Sequence, residues 1–149
     1  MTRPWLNTLG FTAPKRPVSR VFLHCSDSDR PEHDNLATLR RWHLDRGFSE
    51  LGYSYVVTKD GILHQGRNLE TVPAAQKGHN TGSIAVCLTG RHQFTEAQFR
   101  TLKQLCAEIH AQLPLATFHG HKEVDAQGKT CPNFRYQDVL GLNAKGELT

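Results

Sequence analysis

The residues best equipped for chemistry fall in one short polar stretch, His119-Gly-His121-Lys-Glu-Val-Asp-Ala-Gln-Gly-Lys129-Thr-Cys131-Pro-Asn-Phe134. It brings together two imidazoles, an ammonium group and a thiol. Imidazole with thiolate is a donor set that suits zinc. A thiol with an imidazole also suits a nucleophilic enzyme. Which of the two applies, and where a further ligand lies, depends on the rest of the chain.

His24 and His121 each follow a run that reads as a strand, and Cys131 lies ten positions beyond His121. Two ligands at the ends of neighbouring strands and one from a following loop can converge on a point. Three protein donors leave a fourth tetrahedral position open, the pattern of catalytic rather than structural zinc. Spacing alone does not single out this triplet, because nine histidines offer many others. No HExxH helix is present, which argues against a zincin. Cys25 adjoins His24, but neighbours along a strand point to opposite faces, so the two should not face each other. Glu123 and Asp125 could form a carboxylate pair, although the same spacing on a polar loop equally suits solvated charge.

These groups need elements to hold them. Arg20 to Cys25 is a short apolar run that predicts a buried strand with His24 near its C-terminal end. Asn35 is a good N-cap for a helix carrying Leu36, Leu39 and His43 on one face, with Gly47 as its stop. Tyr53 to Thr58 and Ile62 to Arg67 read as two strands joined by an Asp60-Gly61 hairpin turn. Asn68 to Gly82 is a long polar loop, a kind of segment that is often functional. Ser83 to Thr89 is a continuous apolar run and predicts a central strand. Thr95 to Gln98 is a capping box. The helix it opens puts Phe99, Leu102, Leu105, Cys106, Ile109 and Leu113 on one stripe and ends at Pro114. Leu115 to Phe118 reads as a last strand and Arg135 to Leu142 as a short final helix. The expected fold is α/β: a single domain with a central mixed β-sheet flanked by helices.

Composition narrows the function classes. The chain has 149 residues, enough for one domain with a real core. Its net charge of +4 is mild, so no nucleic-acid partner is expected. No run is long enough to span a bilayer, and no membrane association is expected. The four cysteines form no CxxC pair, and Cys87 and Cys106 sit inside apolar patterns as small hydrophobes. The Pro-rich, polar residues 1–19 hold no apolar signal segment and read as an irregular arm. Residues 143–149 read as a C-terminal tail, leaving residues 20–142 as the domain. The expectation is a chain made in the cytoplasm without a Sec signal.

Four blocks resemble a known family, in order along the chain. Trp42-His-Leu-Asp-Arg-Gly-Phe-Ser-Glu-Leu-Gly-Tyr-Ser-Tyr55 is similar to the W-H-x-x-x-G-[FW]-x-x-[IL]-G-Y-x-[FY] block of the type 2 N-acetylmuramoyl-L-alanine amidases. That family shares its fold with the peptidoglycan recognition proteins. Phe22-Leu-His-Cys-Ser26 resembles its first-ligand strand. Lys77 to Leu88 resembles its N-x-x-S-I-G-[IV] strand, and His121-Lys-Glu-Val with Lys129-Thr-Cys-Pro-Asn-Phe134 resembles its closing block. Within the family the likeness is strongest to the small amidase-type phage lysozymes, or endolysins.

The resemblance implies one catalytic Zn2+ held by His24, His121 and Cys131, with Tyr53 and Lys129 as catalytic residues. It implies a peptidoglycan substrate, cut at the amide between N-acetylmuramic acid and L-alanine, by a monomer acting on the cell wall in the periplasm after release or delivery. Recognition-only relatives typically lose the cysteine ligand, so Cys131 favours a hydrolase over a peptidoglycan-binding module. Some phage relatives bind and inhibit an RNA polymerase, a partner that these residues do not specify. Two positions depart from the pattern. Ser54 stands where a histidine often follows the tyrosine, and is expected to face away from it. Ala75 replaces a histidine common before the central strand, with His79 as the nearest substitute.

Overall fold

β1 (Arg20–Cys25) is buried along nearly its whole length, and the rest of the sheet is laid down around it. The computed structural model describes residues 11–149. β1 pairs in parallel with β4 (Ser83–Leu88) on one side and β5 (Thr117–Gly120) on the other. β2 (Tyr55–Val57) lies parallel to β4, and β3 (Leu63–Gln65) returns antiparallel to β2. The resulting order is β3-β2-β4-β1-β5, a mixed five-stranded sheet. Continuous apolar runs such as Ile84 to Leu88 suit strands covered on both faces, and every residue of β4 is buried.

Helices supply the two covers. α2 (Glu96–Gln112) opens with the capping box expected at Thr95 and Gln98. Its stripe of Leu102, Leu105, Cys106 and Ile109 is fully buried. That stripe packs into one cluster with Val21, Leu23, Ile84, Val86 and Phe118. Burial of this kind contributes about 1.5–3 kcal/mol for each large aliphatic side chain. α1 (Leu36–Asp45) covers the other face through Leu39, which packs with Leu51, Val56 and Cys87. Its N-cap Asn35 accepts from the Thr38 N–H, as expected. α3 (Tyr136–Leu140) adds Tyr136 and Leu140 to the first cluster. No helix among the described residues is long and apolar enough to cross a membrane.

Phe11 is buried in the core, and Gln112 at the end of α2 bonds the backbone of Phe11 and Ala13. Residues 11–19 carry neither helix nor strand, and the expectation for residues 1–10 lies outside the described residues. At the other end, Gly146 accepts from the Phe118 N–H, so the tail is tied to β5.

β2, β3 and β4 are shorter than the sequence reading and β5 is shifted, and two of these changes matter to the site. β2 begins at Tyr55, so Tyr53 stands on irregular backbone before it. Ser54 accepts there from the Ala85 N–H and gives its own N–H to the Ala85 carbonyl, ending the ladder early. β5 is shifted toward the C-terminus, so His119 lies within it and His121 directly follows. Gly120 closes the strand where the chain passes under Tyr136. A Cβ there would lie 2.5 Å from Tyr136 Cε1 and 2.9 Å from Pro132 Cδ. Gly120→Ala is therefore expected to destabilise the protein by about 1–3 kcal/mol, the usual cost of overpacking. Urea unfolding checks this, and an unchanged midpoint would show that the ring and the proline can move aside.

Candidate metal centre and active site

β1 and β5 end side by side, and their last polar residues meet. The His24 and His121 ring centroids are 4.6 Å apart. Cys131 arrives from the loop after β5. The donor atoms of His24, His121 and Cys131 all lie within 4.8 Å of one another. This is the one such group of metal-binding side chains among the described residues. Two nitrogens and one sulfur at this spacing suit a tetrahedral ion with a fourth position left over.

The surroundings fit an ion as well. The Cys131 Sγ accepts from the Cys25 backbone N–H at 3.1 Å, a contact that favours thiolate. The neighbouring Cys25 thiol, then burial, push the Cys131 thiol well above its ordinary value. A thiol in that position ionises against a metal rather than alone. Burial, reinforced by the nearby His121, pulls His24 down to about 3. His121 is also lowered, by burial first and with a contribution from Lys129. Both imidazoles are therefore neutral at pH 7, the form that ligates. His24 Nε2 is 2.8 Å from the Gln76 side-chain oxygen.

These groups form part of the floor of a cavity of about 550 Å³. Trp42 and Leu39 give it an apolar side, and its charged lining is Arg46, Arg91 and Lys129 with Asp27, which pairs with Arg91 at 3.3 Å. Tyr53 also lines it, with its ring centroid 5.2 Å from that of His24. Enclosure pushes the Tyr53 phenol well above its ordinary value, so it stays a hydrogen-bond donor. The exposed Lys129 stands on the wall, on a turn shaped by Asp125, whose carboxylate accepts from the Gln127 and Lys129 N–H groups. Glu123 is occupied too, accepting from the Gly120 N–H and the Tyr136 hydroxyl and pairing with His119. Both carboxylates thus serve the loop that carries His121, Lys129 and Cys131. A second cleft of about 590 Å³ lies beyond Lys129 beside His119 and Tyr136, and holds no comparable donor cluster.

A family model described as N-acetylmuramoyl-L-alanine amidase matches residues 14–134. The chain belongs to the N-acetylmuramoyl-L-alanine amidase family. The endolysin of Escherichia phage T7 is 32% identical over 128 residues, covering 80% of this chain and 83% of that protein. The endolysin of Klebsiella phage KP32 is 30% identical over 128 residues, with the same coverage of 80% and 83%. Among solved structures, the Ph2119 endolysin from a Thermus scotoductus bacteriophage superposes with a TM-score of 0.75 at 20% identity, covering 97% of each chain.

Against the family pattern, Ala75 lines the cavity, whereas His79 does not fill the gap it leaves. The His79 ring lies 3.5 Å from the Arg20 guanidinium, at the start of β1, while His24 is near its end. Ser54, just before β2, is buried against Ala85 of β4, apart from the cavity. His119 pairs with Thr117 and Glu123 and is not in the ligand cluster. Sequence reasoning missed Arg91 and His92 on the rim. Asp29 holds them there: against burial that would raise it, hydrogen bonds from Arg91 and Lys59 keep its carboxyl well below the usual range.

His43 sits behind Tyr53, with ring centroids 5.1 Å apart, and its Nδ1 accepts from the Gly52 N–H. Burial, then the charges of Arg46 and Arg67, lower it to about 4. A histidine whose folded value is depressed stabilises the fold above its unfolded value of 6.5, and that stability is lost as pH falls. The thermal midpoint of the metal-free protein should therefore decline as pH drops from about 6.5 toward 4. A flat profile across that range, followed by calorimetry, would contradict neutral burial of His24 and His43.

Proposed function

We propose that this chain hydrolyses the amide joining the lactyl group of N-acetylmuramic acid to L-alanine in peptidoglycan, using one zinc ion held by His24, His121 and Cys131. The observation that carries this reading is the convergence of those three donors within 4.8 Å at the floor of a cavity that Tyr53 and Lys129 also line. When bound, zinc supplies Lewis acidity toward the scissile carbonyl and acidifies water near neutral pH.

The chain's own residues do the rest. Tyr53, protonated and close to His24, donates a hydrogen bond to the carbonyl oxygen as it gains charge. The Lys129 ammonium adds a positive charge on the same side. A fixed donor of this kind typically lowers the barrier by about 3–4 kcal/mol. Arg46 suits a stem peptide, whose carboxylates need cationic partners, while Arg91 is already paired with Asp27 at 3.3 Å. Arg46 lies over the Phe48 ring and has no carboxylate partner among the described residues. Trp42 and Leu39 offer apolar surface to the sugar or to the lactyl and alanyl methyl groups. A wall-lytic role is supported by the names of the phage relatives, which are endolysins.

Digestion of purified sacculi tests this directly. Mass spectrometry should find peptides with a free L-alanine N-terminus, lost on chelation and restored by added zinc. Equal release in a fully chelated sample would sink the zinc mechanism, and release of glycan fragments with intact stem peptides would sink the amidase. Lys129→Ala should lower kcat about 10²-fold or more with a smaller rise in KM, because its charge matters most in the transition state. A change confined to KM would make Lys129 a substrate-binding group only.

A further inference from the structure

The 68–82 loop contributes a residue that neither the ligand set nor the cavity contacts account for. Gln76 is fully buried. Its side-chain oxygen is 2.8 Å from His24 Nε2, and its side-chain nitrogen is 2.6 Å from Ser83 Oγ and 3.3 Å from the His79 carbonyl. Two backbone carbonyls fix the polarity of this chain of contacts, because a carbonyl can only accept. The Asn80 carbonyl takes the Ser83 hydroxyl proton at 2.8 Å. Ser83 Oγ must then accept from Gln76. The His79 carbonyl likewise requires the amide nitrogen, not the amide oxygen, on that side. The Gln76 oxygen is therefore the end that faces His24, and the His24 nitrogen facing it must carry a proton.

We propose that Gln76 is a positioning residue for the metal centre, locking His24 in the tautomer that protonates Nε2 and leaves Nδ1 as the metal donor. This rests on the zinc reading above and adds what orients its most buried ligand. Partners of this kind fix the ring, set the tautomer and raise the basicity of the ligating nitrogen. The loop is built to hold Gln76 still. Asn80 Oδ1 accepts from the Ala75 and Gln76 N–H groups at 3.0 and 2.9 Å, and the Gln76 carbonyl accepts from the His79 N–H at 2.8 Å. Ser83 in turn begins β4, so the orientation of His24 is referred back to the central sheet.

The test compares zinc affinity, by competition with a chromogenic chelator, in the full chain and in two variants. Gln76→Leu removes the acceptor and should weaken zinc binding about 10–100-fold. Gln76→Glu keeps an acceptor toward Nε2 but sets its second oxygen against the His79 carbonyl, with Ser83 free to turn its hydroxyl proton toward it, and should weaken zinc binding less than Gln76→Leu. Equal affinity for Gln76→Leu, or equal weakness in both variants, overturns the positioning role. An unsubstituted chain that takes up no zinc overturns the metal reading itself and the positioning role with it. Nitrogen-15 NMR of the unsubstituted, metal-free chain gives a readout independent of how the variants fold. The His24 proton should reside on Nε2, and finding it on Nδ1 overturns the assignment.

Discussion

The parallel register of β1 between β4 and β5 is the constraint on which the site depends. It sets Leu23 opposite Gly120 and His24 opposite Cys87. Continuing the first pairing by one residue brings His121 beside His24. A slip of one residue would turn His24 to the other face of the sheet, because side chains alternate with period two. The apolar alternates Val21 and Leu23 hold the register, since they are buried in the cluster under α2. The hydrophobic pattern that folds the sheet thus also places two imidazoles at adjacent strand ends. Gly120 serves the same end, because only a residue without a side chain lets Tyr136 and Pro132 close over the end of β5.

Placing polar groups so deep has a cost, and the structure answers it group by group. Burial disfavours charged imidazole, so His24 and His43 are held neutral, and each has a hydrogen-bond partner. Burial also disfavours thiolate, so Cys131 needs compensation before it can ionise. The Cys25 N–H supplies part of it, and a divalent cation would supply the remainder. Loading the site with a divalent cation would therefore exchange the Cys131 proton for the metal, so that metal affinity would rise with pH.

Much of this was legible in the residues. The apolar runs of β1 and β4, the capping box at Thr95 and the Asp60-Gly61 turn each carry a local physical signal, and each forms the element it predicts. His24, His121 and Cys131 could be selected from many candidates only with the ordered family blocks, since spacing along the chain does not encode proximity. The boundaries that moved did so for tertiary reasons. Tyr53 is drawn out of β2 because Ser54 diverts the ladder through its hydroxyl, and β5 runs further because it follows β1. Gln76 and Asp29 were invisible as functional candidates. Each works through backbone groups and partners distant in sequence, and a lone Gln or Asp on a polar loop gives no periodic signal.

The site divides into a floor, where two strand ends meet Cys131 and Tyr53, and a rim carried by loops and the end of α1. His24 is buried and His121, Cys131 and Tyr53 are half-buried, where a hydrogen bond or a charge is worth more because water competes less. Arg46, Arg91 and Lys129 stand in solvent, where an ion pair contributes little on its own and is screened by salt. Such charges can gather and orient an anionic polymer without trapping the cleaved product. Lys129 belongs to the rim by exposure but is tied to the floor by sequence, two residues before Cys131. The Asp125 turn keeps that short link in place. A cation anchored in this way stays near the His24, His121 and Cys131 cluster while remaining in contact with solvent. A longer, freer tether would spread the same charge over solvent.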